Sequence, residues 1–286
     1  MSEIDIIKNL WKKLENKYPP PKYVTKINII EFKNIKNSID NKKNIYVKNI
    51  IKKMYKGEAF IVRNAAQKKL RDTVIELAKV YDKKKPSFHK MLDGTPNFHR
   101  IYDKEITKKY SIYAIKHSYF FYNWNIKTKL EKKFKDGVYR HWRYIKFLSG
   151  NKKFSYEKNI PSQNQIDRLQ IVNYPSGGGE LREHKDPRKN QRIVSGLIMS
   201  KMGEDFNSGG FFFRKNKNKT INIEKKLEIG DSVMFYGSLG HGVEPVDKKK
   251  KIDWNSYIGR WFIGVFVCDS DFMKNRLTSK DLSSSI

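Results

Sequence analysis

Hydrophobic and polar positions change their period near the middle of the chain. Residues 4–14 set Ile6, Ile7, Leu10, Trp11 and Leu14 at helical spacing, and Pro19, Pro20 and Pro21 end the helix this predicts. Residues 60–80 repeat the pattern. There Ala65, Ala66, Leu70, Val74, Leu77 and Ala78 recur at three and four residues and predict a second helix with one buried face. Residues 110–147 are rich in rings, among them His117, Tyr119, Phe120, Phe121, Tyr122 and Trp124. That stretch reads either as core or as the strand and loop wall of a pocket.

From about Ile166 the runs become short and β-rich, at 169–174, 193–199, 210–214, 220–223, 232–236 and 257–267. Turn signals separate them: Pro175-Ser176-Gly177-Gly178-Gly179, Asp186-Pro187, Asn207-Ser208-Gly209-Gly210 and Ile229-Gly230-Asp231. Short strands so spaced predict an all-β sandwich or barrel rather than βαβ units. The expected organisation is a helical region over 1–150, packed on the core and helping to form its pocket. A β core follows over 151–275, then a tail over 276–286 that frays beyond Lys280.

Composition narrows the chemistry. The chain of 286 residues has a single cysteine, Cys268, so no intramolecular disulfide and no thiolate metal cluster can form. Within its apolar run, Cys268 is expected to be a small buried hydrophobe. No run of about 18 apolar residues is present. The first ten residues carry Glu3 and Asp5 where a signal peptide would be basic. The expectation is a cytoplasmic protein whose metal, if any, is held by His and carboxylate.

A net charge of +30 raises the question of a polyanion partner. Of the 60 basic residues, 48 are Lys and 12 are Arg, whereas base and phosphate recognition leans on the guanidinium. The abundance of Asn, Ile, Phe and Tyr fits an AT-rich coding bias with a solvated surface. Residues 1–160 hold 39 basic against 15 acidic side chains, and residues 161–286 hold 21 against 15. A polyanion would therefore meet the first half. Lys83–Lys85 and Lys248–Lys251 read as solvated loops.

The key local feature is His184-Lys185-Asp186. In an extended strand, residues two apart share a face, so an imidazole and a carboxylate can meet one metal ion. His241, in Gly240-His241-Gly242-Val243-Glu244-Pro245, is the natural third ligand. Two His and one carboxylate leave open positions, as non-haem Fe(II) oxygenases require; zinc sites usually close with four ligands including water. The other histidines, His89, His99, His117 and His141, lie in the basic first half and read as surface or core.

In order along the chain come Tyr174-Pro175 with its Gly-rich turn, His184-x-Asp186 and Ser208-Gly209-Gly210-Phe211. After them come Gly230-Asp231-Ser232-Val233-Met234-Phe235, His241-Gly242-Val243-Glu244-Pro245-Val246 and Gly259-Arg260-Trp261-Phe262. This order resembles the 2-oxoglutarate/Fe(II)-dependent oxygenase superfamily, in its prolyl-hydroxylase-like branch. The resemblance covers about 166–267 and leaves 1–150 unmatched. It implies a double-stranded β-helix (jelly-roll, cupin-like) core, which together with the largely helical, Lys-rich N-terminal half read from periodicity and composition makes an α+β fold. It also implies Fe(II) held by His184, Asp186 and His241, 2-oxoglutarate as cosubstrate, O₂, and ascorbate as a candidate reductant.

By the same resemblance, Arg260 would grip the far carboxylate of 2-oxoglutarate bidentately, with Tyr174 donating its hydroxyl. Arg260 lies further from His241 than the family pattern sets. Lys251 stands at the usual distance, but inside a polar loop over 247–253. Phe262 replaces the Ser or Thr sometimes found two residues after the Arg.

The implied activity is hydroxylation of a small molecule or a side chain, with release of succinate and CO₂. Candidates for substrate contact are Arg182, Arg192, Tyr122 and Trp124, the two arginines for an acidic substrate. Two other readings stand beside it: a nucleic-acid oxidative demethylase using the basic first half, and a catalytically silent β-barrel that binds a sugar or peptide.

Overall fold

The computed structural model describes residues 2–282. The described residues form thirteen strands: β1 (Lys26–Glu31), β2 (Glu58–Arg63), β3 (Phe98–Tyr102), β4 (Ala114–Tyr122), β5 (Gln165–Pro175), β6 (Gly179–Lys185), β7 (Ile193–Ile198), β8 (Gly210–Asn216), β9 (Lys219–Asn222), β10 (Ser232–Tyr236), β11 (His241–Val246), β12 (Gly259–Asp269) and β13 (Lys280–Asp281). Helices α1 (Glu3–Lys17), α2 (Phe32–Asp40), α3 (Asn44–Tyr55), α4 (Leu70–Asp82) and α5 (Lys129–Leu148) all precede β5.

Strands β5 to β12 form two facing sets of four, ordered β10-β7-β12-β5 and β6-β11-β8-β9. This is the expected double-stranded β-helix. The first set is widened at one edge by β2 and β1, and at the other by β4 and β3. β4 joins the two sets, because Ala114–Ile115 pair with β6 while His117–Tyr122 pair with β5.

Strand alternation divides the core in two. On β7, Ile193 and Leu197 point to the helix layer, where they meet Trp11, Val74 and Trp142, whereas Val194 and Ile198 point between the sheets. On β12, Trp261, Ile263 and Val265 take the helix side, and Arg260, Phe262, Phe266 and Cys268 line the inner cavity. The helix layer thus fixes which residues of the large sheet must face inward.

The first half is less helical than its periodicity suggests. Residues 60–80 hold the end of β2 and the helix α4, not one helix. Ala59, Phe60, Ile61 and Val62 are consecutive buried residues between β1 and β10, the signature of a strand covered on both faces. Asn64 then turns the chain with φ of 56°. Over 110–147 both readings hold, on opposite faces of β4: Tyr119 and Phe121 enter the helix-side core, while Lys116, Phe120 and Tyr122 line the cavity. Beyond β4 stands α5, begun by a capping box in which Thr128 and Glu131 bond each other's backbone N–H.

Gly177 and Gly178 have φ of 102° and 120°, a turn that favours glycine. Lys83–Lys85 and Lys248–Lys251 are exposed. Cys268 is half-buried at the cavity wall rather than sealed in the core, because alternation on β12 turns it inward. Lys280 and Asp281 pair with Lys185 and His184, so the chain is still ordered there, since β6 offers them a free edge. The rest of the tail, from residue 283, lies outside the described residues.

Lys146 on α5 is fully buried and donates to Asp167 Oδ2 at 2.9 Å, to the Ser155 carbonyl at 2.7 Å and to Glu157 Oε1 at 3.2 Å. Removing one partner of such a pair leaves the other charge uncompensated in the interior. Lys146→Met is expected to lower stability by about 3–5 kcal/mol, and the double variant Lys146→Met, Asp167→Asn by clearly less. Urea unfolding of the two variants and the wild type checks this; equal losses would contradict it.

Candidate metal centre and inner cavity

β6 and β11 run antiparallel with His241 directly opposite His184. Between that pair and Val243↔Leu181 the register shifts, so three residues of β6 span two of β11. Such a bulge breaks strict alternation, and both Leu181 and His184 face the cavity. Arg182 is left on the outside, over the Tyr113 ring at 4.2 Å. Gly242 allows the close approach: a Cβ there would lie 2.6 Å from the Leu181 carbonyl oxygen.

Asp186 sits one residue past β6. Its N–H donates to the Gly237 carbonyl at 2.9 Å, and the following Pro187 disfavours a helical turn, so the extended path continues. Its Oδ2 lies 3.4 Å from His241 Nε2, and its Oδ1 lies 4.0 Å from His184 Nε2. The three side chains offer donor atoms all within 4.8 Å of one another.

Both imidazoles have Nδ1 at 2.9 Å from a backbone carbonyl, His184 from Arg182 and His241 from Leu239. Donation from Nδ1 leaves the Nε2 lone pairs converging with the carboxylate, the tautomer a metal requires. Burial and the neighbouring His241 ring push His184 down to about 4, so it is neutral at pH 7. Burial alone would raise the Asp186 carboxyl; His241, His184 and the Ser279 hydroxyl outweigh it and hold the group well below the ordinary range. The donor set fits a divalent ion such as Fe(II).

A second His/Asp group, Asp82, His99 and His117, lies on the helix side. His99 Nε2 and His117 Nδ1 are 2.8 Å apart and His99 Nδ1 is 3.3 Å from Asp82, while His117 Nε2 is buried without a hydrogen-bond partner. His141 is buried, with Nε2 2.9 Å from Ser195 Oγ.

The inner cavity has a volume of about 520 Å³, within the range that holds small organic ligands. Arg260 and Tyr174 share it with the three metal-binding candidates, and they face each other across β12 and β5. Arg260 is buried, and its Nε donates to Glu224 Oε2 at 2.9 Å, while Nη2 has no partner. Glu224 Oε2 also accepts from the Phe211 N–H at 2.6 Å. Glu224 thus orients the guanidinium through Nε and leaves its Nη end for a ligand. Burial pushes the Tyr174 hydroxyl up, keeping it a donor. Lys251 is exposed in its loop, away from the cavity lining.

Of the substrate-contact candidates, Tyr122 lines the cavity, and Trp124 stacks on it at 4.8 Å between ring centres. Arg192 is elsewhere: Nε and Nη2 grip Glu15 at 2.8 and 2.9 Å, tying β7 to α1. Residues not anticipated from the sequence are Glu224, Ser279, Arg100, Lys116 and Arg168. Arg168 had a readable signal, since it shares strand parity with Gln170 and Tyr174 on β5. Ser279 had none, because it reaches Asp186 only through the pairing of β13 with β6.

Ser279→Ala removes the hydroxyl that holds Asp186 Oδ1. Loss of such an orienting partner typically weakens a metal site 10- to 100-fold. Mn(II) affinity read by electron paramagnetic resonance should fall by about that factor, and His241→Ala should abolish binding in this range. Unchanged affinity in Ser279→Ala would show that Asp186 needs no such support.

No family model and no curated protein matches the chain. Solved structures do. The full-length thymine hydroxylase of Neurospora crassa, in complex with alpha-KG and thymine, aligns at 15% identity and TM-score 0.53, over 86% of this chain and 86% of that one. The C-terminally truncated apo form of the same enzyme aligns at 14% identity and TM-score 0.51, over 84% and 93%. A Pseudomonas putida prolyl-4-hydroxylase aligns at 10% identity and TM-score 0.47, over 77% and 97%. The chain thus has the double-stranded β-helix that its resemblance to the 2-oxoglutarate/Fe(II) oxygenases implied, and in fold it is similar to the Neurospora crassa thymine hydroxylase.

Proposed function

We propose that the protein is an Fe(II)- and 2-oxoglutarate-dependent dioxygenase that hydroxylates a small molecule or a side chain, releasing succinate and CO₂. The observation that carries this reading is the orphaned Arg260 Nη2 in the same cavity as three converging metal-binding side chains. A bare metal site would not call for a buried, oriented cation beside it. The thymine hydroxylase structure that holds alpha-KG with thymine supports a cavity of this fold taking two small molecules together.

His184, Asp186 and His241 would hold Fe(II), Arg260 would pair with the far carboxylate of 2-oxoglutarate, and Tyr174 would donate to that carboxylate. Iron and cosubstrate supply the oxidation of an unactivated C–H bond when bound. The chain contributes the rest. Glu224 fixes the Arg260 fork, and Phe211 and Phe235 pack against the His241 ring, at 5.9 and 4.5 Å between ring centres. Together with Val194, Ile198 and Val243 they keep water from the metal-facing end. No helix among the described residues is long and apolar enough to cross a membrane. A cytoplasmic setting with ascorbate as reductant suits a ferrous centre and the half-buried thiol of Cys268.

Anaerobic addition of Fe(II) and then 2-oxoglutarate should give a weak visible metal-to-ligand charge-transfer band that His184→Ala abolishes. Arg260→Met should leave the band but weaken 2-oxoglutarate roughly 10- to 100-fold, the worth of a charge-assisted contact. A wild type without the band, or a band indifferent to His184→Ala, would overturn the assignment.

A further inference from the structure

Among the described residues, three cations that are at least partly buried line the cavity without an acidic ion-pair partner. Arg100 on β3, Lys116 on β4 and Arg168 on β5 project from adjacent strands onto one face, and none of them forms an ion pair among the described residues. Surface cations are solvated and their lack of partners says little. These sit in a cavity wall, where an uncompensated charge is costly. Arg100 is 8% exposed, and its Nε has no hydrogen-bond partner. The Nε of Arg168 is likewise buried and unpartnered.

The guanidinium groups are held by rings rather than by acids. Arg100 lies 4.1 Å from the Phe88 ring centre and 5.2 Å from that of Phe120, and its Nη1 donates to the hydroxyls of Tyr102 and Tyr110 at 2.8 and 2.5 Å. Arg168 stands 5.6 Å from the same Phe120 ring and 5.0 Å from Phe266. Lys116 Nζ is 5.1 Å from the Tyr102 ring, which Arg100 also flanks at 5.4 Å. Rings fix the cations in place while leaving their N–H groups for another acceptor.

Acids on the same wall are already taken. Asp271 is bound by Arg276 and by the Met91 N–H. Asp269 accepts from Asn190, Gln165 and the Leu277 N–H, and Asp186 belongs to the metal group. Burial, with the nearby Arg168 and Arg100, pushes Lys116 down to about 8 against the opposing pull of the Asp186 carboxylate.

We propose that Arg100, Lys116 and Arg168 form an acid-binding subsite, so that the substrate is a small molecule bearing a carboxylate or a phosphate. The assignment rests on the cavity being the substrate site of the proposed oxygenase. It separates two anions in one cavity: the cosubstrate's far acid at Arg260, and the substrate's acid at the three cations.

The test is isothermal titration calorimetry of the full chain, once metal-free and once with Mn(II) and 2-oxoglutarate bound. Phenylacetate, phenyl phosphate and the neutral phenylacetamide serve as probes. At least one anion should bind roughly 10- to 100-fold more tightly than the amide, and the preferred anion identifies the acid. Arg100→Met and Arg168→Met should each cost the anion tenfold or more, while Arg168→Lys retains most of the affinity and 2-oxoglutarate binding stays unchanged.

The proposal falls if the amide matches both anions in the wild type, a comparison that needs no variant to fold. It also falls if the Met variants weaken 2-oxoglutarate and not the anion probe, which would give these cations to the cosubstrate. Anion selectivity that persists in a protein unable to bind metal or 2-oxoglutarate would uphold the subsite and overturn the oxygenase reading.

Discussion

Pairing of β6 with β11 sets His241 opposite His184, and the site depends on that register. A slip of one residue would turn one imidazole away from the other and leave Asp186 with a single partner. Three features hold the register. The bulge between His184 and Leu181 fixes the parity, Gly242 admits the close approach, and the Gly237 carbonyl receives the Asp186 N–H. The three side chains that could hold a metal are therefore placed by backbone bonds.

Around that centre the inward-facing residues follow from the outer packing. Trp261, Ile263 and Val265 must face the helix layer, so Arg260, Phe262 and Phe266 face the cavity. Asp167 is drawn to Lys146 on α5, so Arg168 points the other way, inward. The helices of the first half thus orient the cavity wall from behind, without lining the cavity themselves. They also cover β2, which runs beside β10 and so supports the sheet from its far edge.

Much of this was legible in the sequence where period and turn chemistry agree. Ser232–Tyr236 is found as read, and Pro175 to Gly179 turn where the glycines require. Legibility failed where two periodicities overlap: Ala59 to Val62 is apolar enough to extend the α4 pattern backwards, yet its β-branched residues serve a strand. It failed also where one short segment carries both structure and chemistry. Residues 179–185 and 241–246 carry the histidines of the candidate site at inward positions, so their strand alternation is masked by the site itself. Glu224 and Ser279 act on Arg260 and Asp186 from distant parts of the chain, and no local pattern marks such a contact.

The central claim is that one cavity holds a metal at His184, Asp186 and His241 and an acid at Arg260. Anomalous diffraction from crystals grown anaerobically with Mn(II) and 2-oxoglutarate tests it most directly. The account predicts a metal peak bounded by His184 Nε2, the Asp186 carboxylate and His241 Nε2, with the far carboxylate of 2-oxoglutarate on Arg260. A metal at Asp82, His99 and His117 instead, or no peak at the triad, would contradict it.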